Sequence, residues 1–513
     1  MSLDPAPKDE RRLRQLLAPL LMTTTSVSTT LEMASTDDSE GDEATLITKS
    51  VNDETVDVNE EVEAIGCGYF HKRMVVILGL GNAADAVEIL AIGYILAVYD
   101  SPITESSCLT AAVFAGMLVG GFIGGVLGDA YGRRPVVLAN LAINAIAGFG
   151  SALAPTISWL IVCRTLAGVG VGGIVSCLFA LCIEHLPPAA QGRYITVLCC
   201  FWMIGSIVTA GAAWIMLGKT LDGDKILPTT WRHFAAFAGL PAALSCLLTY
   251  WFVPESPRFL ISKGKHDEAT RVLHSILALH GESRRPRLEP LDHVKFQAET
   301  SGSSVAQRFG ALWATYSLRR VSLLLFVVAF AMSFGSYGIS TWITSLFKSI
   351  GLANPYANAF LYAGANLPGN LFSFAMVDSW GSGRLLALSL LLSAAAALLF
   401  ALDTSHTPGY VVFCACLFNA CMTSSWNAFG VLSAHAFPLP VRVTGMSLVS
   451  CVGRVGAISA QFVNGFLMAP PPNLALLLGT TSTVLCVGAL AVTYVTKYLP
   501  LSGPGRHGPS VHH

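Results

Sequence analysis

From Met74 onward the chain consists of apolar runs of about 19 to 28 residues separated by short polar breaks, each long enough to cross roughly 30 Å of hydrocarbon. The runs begin near residues 74, 107, 135, 157, 194, 232, 321, 357, 385, 409, 443 and 472. Strands that span a membrane are far shorter, and a backbone in lipid must satisfy its own hydrogen bonds, so the pattern predicts twelve helices with both termini on one side. Residues 1–72 are a different material, with Ser/Thr runs and the acidic cluster Asp37, Asp38, Glu40, Asp42 and Glu43, and they read as an acidic disordered cytosolic tail. Within the tail, Leu16 to Met22 after Arg11, Arg12 and Arg14 imitates a short signal peptide with no small-residue cleavage site behind it. Asp42 to Ile47 fits an acidic dileucine sorting pattern.

The runs fall into two sets of six. Gly125-x-x-Gly128-Asp129-x-x-Gly132-Arg133-Arg134 follows the second run, and Asp378-x-x-Gly381-x-Gly383-Arg384 follows the eighth; Pro187 and Arg193 after the fourth are echoed by Pro438 and Arg442 after the tenth. An internal repeat of this kind places a solute site near mid-membrane between two parallel halves. The expected organisation is an N-terminal six-helix half (73–253), a cytosolic central loop (254–320) helical around Lys265 to Leu279, a C-terminal six-helix half (321–497) and a short tail (498–513). Lys and Arg fix the orientation. The loops on the side of the termini carry Arg133, Arg134, Arg193, eleven basic residues from Arg258 to Arg320, Arg384 and Arg442, whereas the opposite loops carry only Lys219, Lys225 and Lys348. That asymmetry puts the termini in the cytosol; it leaves a plasma membrane and an endosomal or vesicular one equally open.

Composition agrees with a bilayer as solvent: 53% of residues are hydrophobic and only 12% charged. A net charge of −1 provides no basic excess for a nucleic-acid partner. The thirteen cysteines lie almost wholly in apolar runs and form no disulfide or metal framework. No Gly-x-x-x-x-Gly-Lys loop for ATP occurs, Gly170-x-Gly172-Gly173 reads as helix packing, and no nucleophile elbow is present, so neither an enzyme nor a cofactor is expected.

The loop from Gly125 to Arg134 resembles the signature between the second and third helices of the major facilitator superfamily, with Ala130 where a basic residue is usual. Arg164 with Gly168, Gly170 and Gly172 resembles that superfamily's fourth-helix motif, and Glu184 to Arg193 with Pro254-Glu-Ser-Pro-Arg258 resembles its sugar and organic-ion branches. Glu63 to Gly68, Asp85-Ala-Val-Glu88, Phe201 to Gly205, Gly264 to Ala269, Ser425 to Ala428 and Arg454 to Ala457 are similar to the synaptic vesicle two-related group, near the niacin permeases and organic-ion transporters. The resemblance implies a major facilitator fold and transport by alternating access. In organic-ion transporters the eleventh-helix position tends to be Arg in anion carriers, so Arg454 implies a carboxylate.

Asn82, Asp85 and Glu88 recur three residues apart on the first helix, and Asp85 stands eleven residues in, roughly 17 Å deep at 1.5 Å per residue. Acids in hydrocarbon are costly, which leaves two readings for Asp85 and Glu88: proton exchange or solute contact, or structural pairing with a neighbouring helix. Arg454 and Arg164 are candidates to bind the solute carboxylate, with structural pairing to those acids as the alternative. Trp202 and Trp426, at matching depths in the fifth and tenth helices, are candidates to stack on a flat ring, and Asn427 and Tyr337 to supply polar contacts. Gly125, Asp129, Gly132, Arg133 and Arg134, with the eroded copy Asp378 and Arg384, are gating candidates: glycines for close helix contact and an ion-paired lock that rocking would break. The expected function is proton-coupled symport of a small organic anion or zwitterion, such as a nicotinate-like acid, by a monomer. The alternatives are a transporter-shaped interaction protein and a proton-independent uniporter of sugars or organic cations.

Overall fold

The computed structural model describes residues 58–99, 101–218, 226–280, 310, 312–313, 316–402, 407–437 and 439–498. Every regular element described is a helix. Among the described residues eleven helices are long and apolar enough to cross a membrane: Tyr69–Leu96, Ile103–Tyr131, Arg133–Ala152, Ile157–Glu184, Pro188–Leu217 and Trp231–Phe252 as the first to sixth spans, Tyr316–Ser349 as the seventh, and Ser382–Leu402, Pro408–Ala436, Leu439–Leu467 and Leu474–Tyr498 as the ninth to twelfth. The eighth span departs from the expected single helix. It is divided into Pro355–Gly364 and Asn366–Trp380, which meet at Ala365. Pro368 is the physical reason: it has no N–H to give to the carbonyl of Gly364, and the turn there is left open.

The repeat is visible in the backbone. Gly132 and Gly381 hold φ of 116° and 78° at the end of the second and eighth spans, so each half turns its chain on a left-handed glycine at the equivalent place. In the first half the second span packs on the fourth, the third on the fourth and sixth, and the first on the fifth and sixth; in the second half the seventh packs on the eleventh and twelfth, and the ninth on the tenth and twelfth. The halves meet where the second span lies on the eleventh and the fifth on Pro355–Gly364.

The tail reading needs correction at its end. Residues Val58–Ile65 form a helix and the first span starts at Tyr69, because Val62 and Ile65 bury themselves with Leu273, Ile276 and Leu277 of the loop helix His266–Leu279. That burial gives an otherwise acidic segment an apolar face to fold on. The signal-like patch at residues 16–22, the dileucine pattern at 42–47, Lys219, Lys225 and residues 499–513 lie outside the described residues.

Candidate solute-binding site

The first span presents its three polar side chains as a fan of roughly 120° at 100° per residue, and each limb meets a different neighbour. Asn82 donates from Nδ2 to the carbonyl of Leu198 on the fifth span at 2.9 Å. Glu88 lies 2.6 Å from Arg164 Nη1, both side chains at 0% exposure, and Arg164 Nε donates to Ser151 Oγ at 3.0 Å. Asp85 is 2% exposed, and among the described residues neither of its carboxylate oxygens accepts a hydrogen bond. The charges that bear on it are Arg454, from the eleventh span across the seam, and Glu88 one turn along its own helix.

The opposite wall comes from the second half. Arg454 lies over the ring of Tyr337 at 5.7 Å and points Nη1 at its hydroxyl at 3.4 Å. Tyr337 touches Trp426 at 5.9 Å and Phe114, of the second span, at 5.0 Å between ring centroids. Trp426 Nε1 donates to Ser336 Oγ at 3.2 Å, and Gln461 ties the group together, donating to the carbonyl of Tyr337 at 3.4 Å while accepting from Trp342 Nε1 at 3.0 Å. Arg454, Tyr337 and Trp426 are half-buried. The structure therefore joins Arg454, Tyr337 and Trp426, and leaves Asp85 buried nearby under the influence of the Arg454 charge. Trp202 is half-buried too, but among the described residues it makes no hydrogen bond or ring contact; its neighbour Phe201 is the residue packed on the first span, at Gly79.

Arg164 departs from the expected solute contact. A fully enclosed guanidinium needs a counter-charge, and Glu88 supplies it inside the first half, away from the seam.

A second group contains one expected residue, Asn427, and several that the sequence pattern does not mark. Asn419 Nδ2 donates to the carbonyl of Tyr362 at 2.7 Å, Thr423 Oγ1 to Asn366 Oδ1 at 2.6 Å, and Asn427 Nδ2 to Asn370 Oδ1 at 2.8 Å. Each rung joins residues 57 apart in sequence, so the eighth and tenth spans are held in one register. The same amides cross the seam: Asn366 Nδ2 approaches Ser206 Oγ and Asn370 Nδ2 approaches Met203 Sδ, both at 3.3 Å. Asn427, a solute candidate, thus serves this ladder from an exposed position rather than the Arg454 cluster. The signal available in the sequence was amides four residues apart beside Gly364, Pro368 and Gly369.

Other contacts between the halves lie toward the end of the bundle opposite the termini. Lys348 Nζ donates to the carbonyl of Ala97 at 2.8 Å, Tyr356 OH to that of Tyr94 at 3.3 Å, and Phe360 packs on Trp214 at 5.6 Å.

The sequence profile of the sugar (and other) transporter family matches residues 46–500. The chain belongs to this family, within the major facilitator superfamily. It is accordingly a multi-pass membrane transporter of small solutes and not an enzyme. It is 28% identical over 449 residues to organic cation/carnitine transporter 7 of Arabidopsis thaliana, covering 79% of this chain and 87% of that protein. It is 28% identical over 361 residues to human synaptic vesicle glycoprotein 2A, covering 63% of this chain and 48% of that glycoprotein, so the match spans about half of the relative. Its fold is that of the xylose transporter XylE of E. coli: the inward-open structure aligns with a TM-score of 0.63 at 17% identity, covering 84% of this chain and 96% of that one.

Within this transporter fold the gating candidates form a network inside the first half. Arg133 bonds Asp129 Oδ1 and the carbonyl of Gly128 at 2.6 Å each and Glu184 Oε1 at 3.2 Å. Glu255, just past the sixth span, accepts the amides of Arg133 and Arg134 at the third span's open N-terminus, each at 3.2 Å. A Cβ on Gly132 would run into that carboxylate. Burial pushes the Glu255 carboxyl above its ordinary range, against the pull of the Ser256, Arg134 and Arg133 amides. In this conformation each of these bonds ends within the first half. Asp378 and Arg384 are exposed, and among the described residues no ion pair joins them.

Gly125 also departs from expectation, as nothing stands within 4 Å of its Cβ position. The close contact is made one residue earlier in register, by Gly116, Gly120, Gly124 and Gly128 against Thr165, Val169, Gly173 and Cys177 of the fourth span.

Proposed function

We propose that this transporter is a proton-coupled symporter of a small organic anion or zwitterion, a nicotinate-like acid being the concrete case, with both termini in the cytosol. The observation that carries the reading is Asp85, a buried carboxylate without a hydrogen bond, electrostatically engaged by Arg454 of the other half. While Asp85 is ionised it holds the Arg454 charge; a proton on Asp85 frees that guanidinium for the solute carboxylate. Proton and solute then favour each other's binding, which is the linkage a symporter needs. Tyr337 and Trp426 flank the guanidinium with aromatic surface that suits a flat ring. Glu88, charge-matched by Arg164, holds the first span in place. Lys348, Tyr356 and Phe360 join the halves at the end opposite the termini, which supports reading the conformation as the inward-facing state of an alternating-access cycle.

Proteoliposomes loaded for nicotinate counterflow and then given an inward proton gradient test the reading. Asp85→Asn should keep counterflow and lose accumulation driven by the gradient; gradient-driven uptake that survives the substitution removes the proton from Asp85. The loop from Asp378 to Arg384, without an ion pair among the described residues, supports a second reading, a transporter-shaped interaction protein. That reading wins if no carboxylate, cation or sugar in a broad panel raises the thermal stability of the purified protein.

A further inference from the structure

The end of the sixth span that lies on the side of the termini carries three consecutive exposed aromatic residues, Tyr250, Trp251 and Phe252, with Trp251 at 68% exposure. On one flank Arg73 of the first span lies over Phe252 at 4.9 Å and over Tyr69 at 5.8 Å. On the other flank Arg134 of the third span lies 5.9 Å over Tyr250 and donates from Nη2 to its carbonyl at 2.7 Å. The Nε of each arginine is buried without a hydrogen-bond partner, and neither side chain has a carboxylate in ion-pair range among the described residues. Arg133, by contrast, is matched by Asp129 and Glu184, and the nearby Glu255 is taken up by backbone amides.

Above the aromatic group runs an unbroken apolar stripe. Leu240, Leu244, Leu247 and Trp251 are all half or more exposed, or close to it, at helical spacing on the face that the first and third spans leave uncovered. Two uncompensated guanidiniums at the edge of such a stripe suit an amphiphile whose anionic end lies at the interface and whose chains lie in hydrocarbon. A free anion would use the arginines and leave the stripe without a role.

We infer that Arg73 and Arg134, on either side of Trp251, hold the headgroup of one anionic phospholipid of the leaflet next to the termini, with its acyl chains along Leu247, Leu244 and Leu240. Aromatic rings at this depth are usual at a membrane interface, and basic pockets between spans on this side are suited to phosphate headgroups. Because the lipid would bridge the first, third and sixth spans, it would also brace the packing of the first half.

Native mass spectrometry of the full chain in mild detergent, titrated with dioleoyl phosphatidylglycerol or dioleoyl phosphatidylcholine, tests the site. One phosphatidylglycerol should bind saturably, and phosphatidylcholine should not match it. Arg73→Gln and Arg134→Gln should each weaken binding about fivefold, and together about 25-fold, while the Arg73→Lys/Arg134→Lys pair stays within about threefold of wild type. Melting curves taken without added lipid establish that each variant is folded, and the single variants carry the test if the double one does not purify. Undiminished binding in the folded Gln variants, non-saturating uptake of either lipid, or equal competition by glycerophosphoglycerol, which has no chains, would each overturn the inference.

Discussion

Removing Arg164 separates a structural charge from a functional one. In Arg164→Met the fully buried Glu88 loses the guanidinium 2.6 Å away, and Ser151 loses the donor at 3.0 Å. Stripping one partner from a buried ion pair costs about 3–5 kcal/mol, chiefly because the remaining charge is left uncompensated. The Ser151 hydroxyl keeps its own donation to the carbonyl of Ala147 at 2.8 Å, so losing that donor adds little. Glu88→Gln, which leaves the guanidinium unmatched, should fall in the same range. The double variant Glu88→Gln/Arg164→Met carries no buried charge and should recover most of the loss, to within about 1–2 kcal/mol of wild type, since apolar replacement of a buried pair is near neutral. Reversible unfolding of the detergent-solubilised protein, followed by helix signal against denaturant, reads these differences as a double-mutant cycle. Two single variants within about 0.5 kcal/mol of wild type, or strictly additive losses in the double, would refute the reasoning.

Other consequences are equally open to measurement. Gly120→Ala sets a Cβ well inside the 3.0 Å that real contacts keep from the backbone of Val169, so it should lower stability by about 2 kcal/mol or more, whereas Gly125→Ala, facing open space, should stay within about 0.5 kcal/mol; melting temperatures compare them. His185, just beyond the fourth span, is held neutral by burial with its pKa lowered to about 4, so the unfolded chain binds the extra proton between about 4 and the ordinary 6.5. Stability should therefore be intact above pH 6.5 and fall as pH drops through that window; a pH series of melting temperatures should be flatter in His185→Gln, and an identical slope in the two proteins would count against it. Asn366→Ala removes the partner of Thr423 and Ser206 at the break in the eighth span and should cost about 1–3 kcal/mol, with Asn427→Ala costing less because it is exposed.

The spans were legible because lipid leaves the chain few options: apolar length, the Asp129–Gly132 and Asp378–Gly381 echoes and the scarcity of charge all report the same constraint. Asp85 and Arg454 were legible for the same reason, as costly groups at one depth, and Trp426 and Tyr337 as an aromatic surface and a polar group in apolar spans. What depth does not reveal is azimuth. Glu88 and Asp85 are one turn apart, yet one faces the fourth span and the other the seam, and lateral packing alone decides that Arg164 serves Glu88. The doublet Gly124-Gly125 shows the same gap, since periodicity finds a small-residue stripe, and the packed face is Gly116, Gly120, Gly124 and Gly128. Asn366 and Asn370 were passed over because an amide in an apolar helix carries no charge to mark it. Their shared offset from Thr423 and Asn427 emerges only once the eighth and tenth spans lie side by side.

The coupling of Asp85 to Arg454 is tested most directly by proton flux. Proteoliposomes in lightly buffered medium, with a pH electrode outside, are given nicotinate while radiolabelled solute uptake is counted in parallel. Wild type should draw protons in with the solute, and Asp85→Asn should exchange solute with no proton movement. Solute entry without protons in wild type, or equal proton uptake in Asp85→Asn, would contradict the account.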